Sequence, residues 1–162
     1  MAQLSVEIDG PYREGEGKAR RHLSRGKGDF LRTFKEGVET LHDAFENACR
    51  EYSELDFLGL RIKDERGVAG PYQFMKYKDV YERVCNIAAG LAALGVQDKD
   101  NIGLYSINRP EWVMAEYACY RLNLVTVPLY DTLGDEAIEH ICNQTEMKLI
   151  VASKEKVKSH DI

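Results

Sequence analysis

The sequence predicts an α/β fold, a doubly wound parallel sheet with helices on both faces. From Tyr77 onward, helix-like and strand-like stretches alternate in the order α-β-α-β-α-β-α. The three strand-like stretches, residues 101–106, 124–129 and 147–152, are short and mostly apolar, as strands covered on both faces are. Helical stretches of about 10 to 18 residues separate them, enough for the right-handed crossovers that parallel neighbours need. Residues 124–129 are expected to form a central element covered on both sides.

The elements follow in chain order. Residues 1 to about 38 are rich in Gly, Arg, Lys and Glu without sustained periodicity, which predicts an extended basic arm. Residues 39–162 form the ordered part. Thr40 and Asp43 match a capping box, with Asp in place of Glu or Gln. Leu41, Ala44, Phe45, Ala48 and Cys49 then share one face of a helix ending near Tyr52. Residues 57–62 read as a strand, Asp64 to Gly67 as a turn, and residues 72–75 as the hairpin partner. Tyr77, Val80, Val84, Ile87, Leu91 and Leu94 draw one apolar stripe along a helix, and Gly95 closes it.

After the strand at residues 101–106, Asn108 is expected to cap the next helix, with Glu111 completing a reciprocal box. Pro110 lacks the N–H that a first turn leaves unpaired. Trp112 begins a nearly all-apolar run to about Leu122, suited to burial between layers. Thr132 and Asp135 supply a second box signature for a helix over residues 134–144. A charged helix is expected near Ser153.

Lys and Arg total 22 against 27 Asp and Glu, a net charge of -5. A globally acidic chain repels phosphate backbones, which argues against nucleic acid as a partner. The arm differs: Arg13, Lys18, Arg20, Arg21, Arg25, Lys27, Arg32 and Lys35 face only Glu14, Glu16 and Asp29 between residues 11 and 35. Such a segment suits either solvent or the surface of an anionic membrane. Cys49, Cys85, Cys119 and Cys142 show no C-x-x-C or zinc spacing, so reduced thiols in a reducing compartment are expected. With no signal-peptide run and no 18 consecutive apolar residues, an intracellular chain is expected, cytoplasmic or on the cytosolic face of a membrane.

Chemistry-bearing patterns are few. Gly15-Glu16-Gly17-Lys18 suggests a phosphate loop, but Tyr12 and Ala19 stand where a Walker loop needs Gly and Ser or Thr. Gly90 to Gly95 lacks the middle glycine of a dinucleotide fingerprint and follows no strand. His22, His42, His140 and His160 are scattered. Asp131 and Asp135 flank Gly134, where turn and capping roles explain them more simply than a metal or an acid–base pair. No catalytic, cofactor-binding or metal-binding residue is assigned.

The run N-R-P-E-W-V from Asn108 and the run V-P-L-Y-D-T-L-G-D-E-A-I-E-H-I from Val127 resemble the amino-terminal part of long-chain acyl-CoA synthetases. These are AMP-forming members of the adenylate-forming superfamily. Y-K-D-V from Tyr77 and G-L-A-A-L-G-V from Gly90 fall where that family would place them, and E-G-E-G-K-A-R-R from Glu14 matches loosely. The resemblance implies a partial large domain of the adenylate-forming fold. It implies a parent enzyme that joins a long-chain fatty acid to coenzyme A through an acyl-adenylate, using ATP and Mg2+. The family's Ser/Thr/Gly phosphate loop, its adenine and ribose motifs and its carboxy-terminal lysine have no counterpart in residues 1–162. An inactive amino-terminal fragment is therefore expected. A stand-alone, non-catalytic binding or scaffolding module is the alternative, and it would have to cover its sheet edges and apolar helix faces.

Overall fold

The computed structural model describes residues 4–25, 33 and 35–157. The chain divides into two compact units, Met1–Glu36 and Gly37–Ile162.

In the first unit, β1 (Ser5–Glu7) pairs antiparallel with β2 (Arg20–His22). Arg20 fastens the ladder by donating to Ser5 Oγ at 3.0 Å and to Glu7 Oε1 at 3.0 Å. The expected extended arm thus carries a short two-stranded ladder at residues 5–7 and 20–22. Two three-residue strands are too short to leave a periodicity in the sequence. Lys27 and Arg32 lie outside the described residues.

The second unit opens with α1 (Leu41–Glu51), whose capping box forms as expected. Asp43 N–H donates to Thr40 Oγ1 at 3.1 Å, and Thr40 N–H donates back to Asp43 Oδ2 at 2.9 Å. The hairpin β3 (Asp56–Lys63) and β4 (Ala69–Lys76) follows, closed by a turn in which Asp64 Oδ1 accepts from the amides of Arg66 and Val68. Gly67, at φ 78°, takes the left-handed position there. Then comes α2 (Tyr77–Ala93), with Gly95 at φ 86° beyond its end. Its buried stripe is Val80, Val84, Ala88 and Leu91, whereas Leu94 is 70% exposed. The expected stripe runs one residue too far, because the helix ends at Ala93 and Leu94 sits in its cap.

Strand β5 (Asn101–Tyr105), helix α3 (Pro110–Arg121), strand β6 (Val125–Leu129), helix α4 (Asp135–Gln144), strand β7 (Leu149–Ala152) and the short α5 (Lys154–Val157) complete the unit. The sheet is parallel, in the order β6-β5-β7. Side-chain alternation sorts its two faces. Ile102 and Leu104 point into a core shared with α1, α2 and α3. Tyr105 and Leu129 point the other way, onto Ile138 of α4. Helices therefore cover both faces, as expected for double winding.

The centre of the sheet is β5, not β6. Among the described residues β6 is an outer strand, with Val125 45% exposed. This corrects the expectation for residues 124–129. An apolar run does not tell a central strand from an edge, but Pro128 does, since a residue without an N–H belongs on an edge.

Helix α3 is apolar on most sides because it packs on most sides. Met114, Ala115, Ala118 and Cys119 are buried, and none of its large apolar side chains is exposed. An exposed apolar face on this helix, expected of a fragment, is not seen. Phe45 of α1 stacks on Tyr117 at 4.0 Å between ring centroids, and Phe57 of β3 stacks on Tyr77 at 4.1 Å. Glu46 ties three helices together, accepting from Arg121 Nη1 at 2.8 Å and from Tyr81 Oη at 3.0 Å.

Candidate functional site

The chain leaves β5 for α3 on one face of the sheet, while α5, which follows β7, lies on the other. Between two such neighbours the carboxyl ends of the strands diverge, and α/β sheets hold ligands at such openings. A crevice of about 400 Å³ opens there. Leu104, Trp112, Ala115 and Val151 form its apolar walls, with Arg109 and Glu155 among its polar residues.

Arg109 organises the polar side. Its Nε donates to Glu111 Oε2 at 2.9 Å, and its Nη1 lies 3.8 Å from Glu155 Oε2. The hydrogen bond from Arg109 holds the Glu111 carboxyl below the usual carboxylate range. The backbone amide of Glu155, with the Ser153 side chain, lowers the Glu155 carboxyl as well. The guanidinium in turn is raised by its bond to Glu111. One cation is thus shared between two ionised carboxylates at the start of α3. The group can hold polar atoms in place, but it contains no nucleophile with a base beside it.

Arg109, not Asn108, is the N-cap of α3, and no side-chain cap bond forms. Pro110 occupies the first helical turn, which fixes the cap one residue later than expected and turns Glu111 toward Arg109. The Thr132/Asp135 box also fails to form: Gly134 is the N-cap of α4 and has no side-chain cap bond. Asp135 begins that helix and so cannot stand at its third position.

The remaining candidates are dispersed. Asp131 offers its backbone carbonyl to Lys156 Nζ at 2.7 Å, and neither Asp131 nor Asp135 lines the crevice. Gly15 sits at φ 89° in the turn between β1 and β2, and Gly90 lies within α2. His22 pairs with Ser24, His42 Nε2 lies 3.4 Å from Glu46, and His140 is exposed. His160 lies outside the described residues. Among the described residues no group of three His, Cys, Asp or Glu could hold a metal ion. All four cysteines are free thiols, and burial pushes Cys49 and Cys119 up to about 11, the reverse of activation. Sequence reasoning missed the crevice because Arg109 and Glu155 meet only through strand order.

Residues 45–162 match the family described as AMP-binding enzyme. The chain is 40% identical over 113 residues to the peroxisomal long chain acyl-CoA synthetase 7 of Arabidopsis thaliana, covering 70% of this chain and 16% of that protein. It is 37% identical over 161 residues to long-chain-fatty-acid–CoA ligase 1 of Homo sapiens, covering 98% of this chain and 22% of that one. Among solved structures, the adenylation domain of the carboxylate reductase from Mycobacterium chelonae superposes with a TM-score of 0.67 at 23% identity, over 78% of this chain and 21% of that one. At that identity the likeness concerns the fold alone. The chain spans about a fifth of the length of the curated relatives it matches.

Proposed function

Since the chain belongs to the AMP-binding enzyme family, we propose that it is the amino-terminal portion of a long-chain fatty acid–CoA ligase. The observation that carries this is the 37% identity to a human ligase over 161 residues, 98% of this chain. In the proposed reaction a carboxylate oxygen of the fatty acid attacks the α-phosphorus of ATP and pyrophosphate departs. The thiol sulfur of coenzyme A then attacks the acyl carbon, loses its proton, and AMP departs. Magnesium would shield the triphosphate in the first step.

The contribution of this chain is architectural. Residues 39–162 supply the first strands of the large domain, with β5 at the centre and α3 packed beneath it. Residues 1–38 form a basic arm that contacts an anionic membrane, in the cytoplasm or on the cytosolic face of an organelle. The excess of Arg and Lys in that stretch supports this, and no helix among the described residues is long and apolar enough to cross a membrane.

The test is to extend the reading frame and assay both proteins. The longer product is expected to exchange pyrophosphate into ATP in the presence of a long-chain fatty acid and to form acyl-CoA. Residues 1–162 alone are expected to do neither. Turnover by pure 1–162, or a frame that closes after Ile162 in the genome, would overturn the proposal. Co-sedimentation with vesicles containing phosphatidylserine, lost at high salt, tests the arm.

A further inference from the structure

Ser24 has no part in the function proposed above, yet its surroundings are those of a hydroxyl set out for reaction. It is exposed, in a single 3-10 turn, Leu23–Arg25, directly after β2. Its backbone N–H donates to His22 Nδ1 at 3.3 Å, which marks that nitrogen as the one bearing the lone pair. The Ser24 hydroxyl, 2.7 Å from the same nitrogen, therefore donates to it. That bond occupies the proton of Ser24 and leaves an exposed oxygen to act as a nucleophile.

The residues before Ser24 are cationic. Arg20 and Arg21 stand four and three positions upstream, with no acidic residue between them and Ser24. An enzyme whose peptide groove is lined with carboxylates binds such a run through charge-assisted, bidentate hydrogen bonds. In the whole sequence only Ser53 shares an arginine three positions upstream, Arg50. Ser53 is half-buried, and Glu51 and Glu54 lie close on either side of it, which an acidic groove repels. A single 3-10 turn beside a three-residue strand opens readily into the extended form that a peptide groove takes.

Charge gives a modification at Ser24 its consequence. Residues 1–38 hold eight basic side chains against six acidic ones, Glu7, Asp9, Glu14, Glu16, Asp29 and Glu36, an excess of two. A phosphate adds about −1.5 to −2 charges near neutral pH. One phosphate therefore cancels nearly the whole excess that draws the arm to an anionic surface. Bonded to Ser24, it would stand beside His22, on the ladder face where Arg20 Nε donates across to Ser5 Oγ at 3.0 Å.

We propose that Ser24 is a phosphorylation site for an arginine-directed protein kinase, and that its phosphate releases the arm from an anionic membrane. The release rests on the membrane contact proposed above; the site does not. In the transfer, Ser24 Oγ bonds to the γ-phosphorus of ATP, the bond from that phosphorus to the β-phosphate oxygen breaks, and ADP departs. The hydroxyl proton passes to the catalytic carboxylate of the kinase.

Incubating residues 1–162 with ATP and a purified kinase that selects Arg three residues before its target serine tests the site. Fragmentation mass spectrometry is expected to place one phosphate on Ser24 and none on Ser53. Arg21→Gln is expected to slow incorporation at least about tenfold, and Arg13→Gln to leave it unchanged. Phosphate on Ser53 instead, or equal incorporation in wild type and Arg21→Gln, would overturn the site. Sedimentation with vesicles of phosphatidylcholine and phosphatidylserine tests the release. The phosphorylated protein is expected to partition at least about tenfold more weakly than the unmodified one. Ser24→Ala carried through the same kinase reaction is expected to bind like the unmodified protein. Equal partition of the two forms would overturn the release alone. Unmodified protein that fails to bind would overturn the membrane contact and the release with it, while the assignment of Ser24 stands on the mass spectra.

Discussion

Gly103 lies in the middle of the central strand, where any side chain must share space with its neighbours. A Cβ placed there would meet Met147 Sδ at 2.5 Å and Ile150 Cγ1 at 3.1 Å. Met147 would have to withdraw by about 1 Å to restore ordinary contact, and its unbranched chain permits that only by giving up part of its packing. Gly103→Ala is therefore expected to cost about 1–3 kcal/mol, the range for overpacking. Met147→Ala alone removes a half-buried side chain, and about 1–2 kcal/mol is expected, below the loss for a fully buried one. Combined, the new methyl fills part of the space that Met147 leaves. The double variant should then be less destabilised than the sum of the singles by about 1 kcal/mol or more. Urea titration of the four proteins, followed by circular dichroism, measures this. Additivity within about 0.5 kcal/mol would refute the packing of Met147 over Gly103.

Phe45→Ala, at a site 4% exposed and stacked on Tyr117, is expected to cost roughly 3–5 kcal/mol, with Phe45→Leu much milder; thermal melting separates them. Thr40→Ala, which breaks the capping box of α1, is expected to cost about 1 kcal/mol in the same titration, and Thr40→Ser to restore most of it. Glu54 is drawn from 4.5 down to about 2 by hydrogen bonds from Lys78 and Lys76. A lowered carboxyl stabilises the fold above its unfolded value and loses that contribution as pH falls, here from about 4.5 toward 2. Glu54→Gln should flatten that part of an acid titration. Because Glu54 is exposed, raising salt to about 0.5 M should shrink the difference between wild type and variant.

Much of the fold is local chemistry and could be read along the chain. Thr40 and Asp43 meet because a capping box joins residues three apart, and Gly95 ends α2 because only glycine takes φ 86° without strain. The two motifs at Asn108 and Val127 pointed to the family that the comparison over residues 45–162 bears out. Caps were misplaced at Asn108 and Thr132, where a single backbone shift decides which side chain faces which amide. The β1–β2 ladder was missed because three residues carry no period.

What the sequence by itself determined is each element and its apolar face, since both depend on residues a few positions apart. Strand order belongs to the tertiary structure. The same apolar runs would suit β5 or β6 at the centre; Pro128 marks β6 for an edge, and the pairing of Ile102 with both Thr126 and Leu149 sets β5 between its two neighbours. That pairing also brings Arg109 to Glu155. Hydrogen bonds between strands join residues far apart in the chain, so no local pattern encodes which strand takes which neighbour.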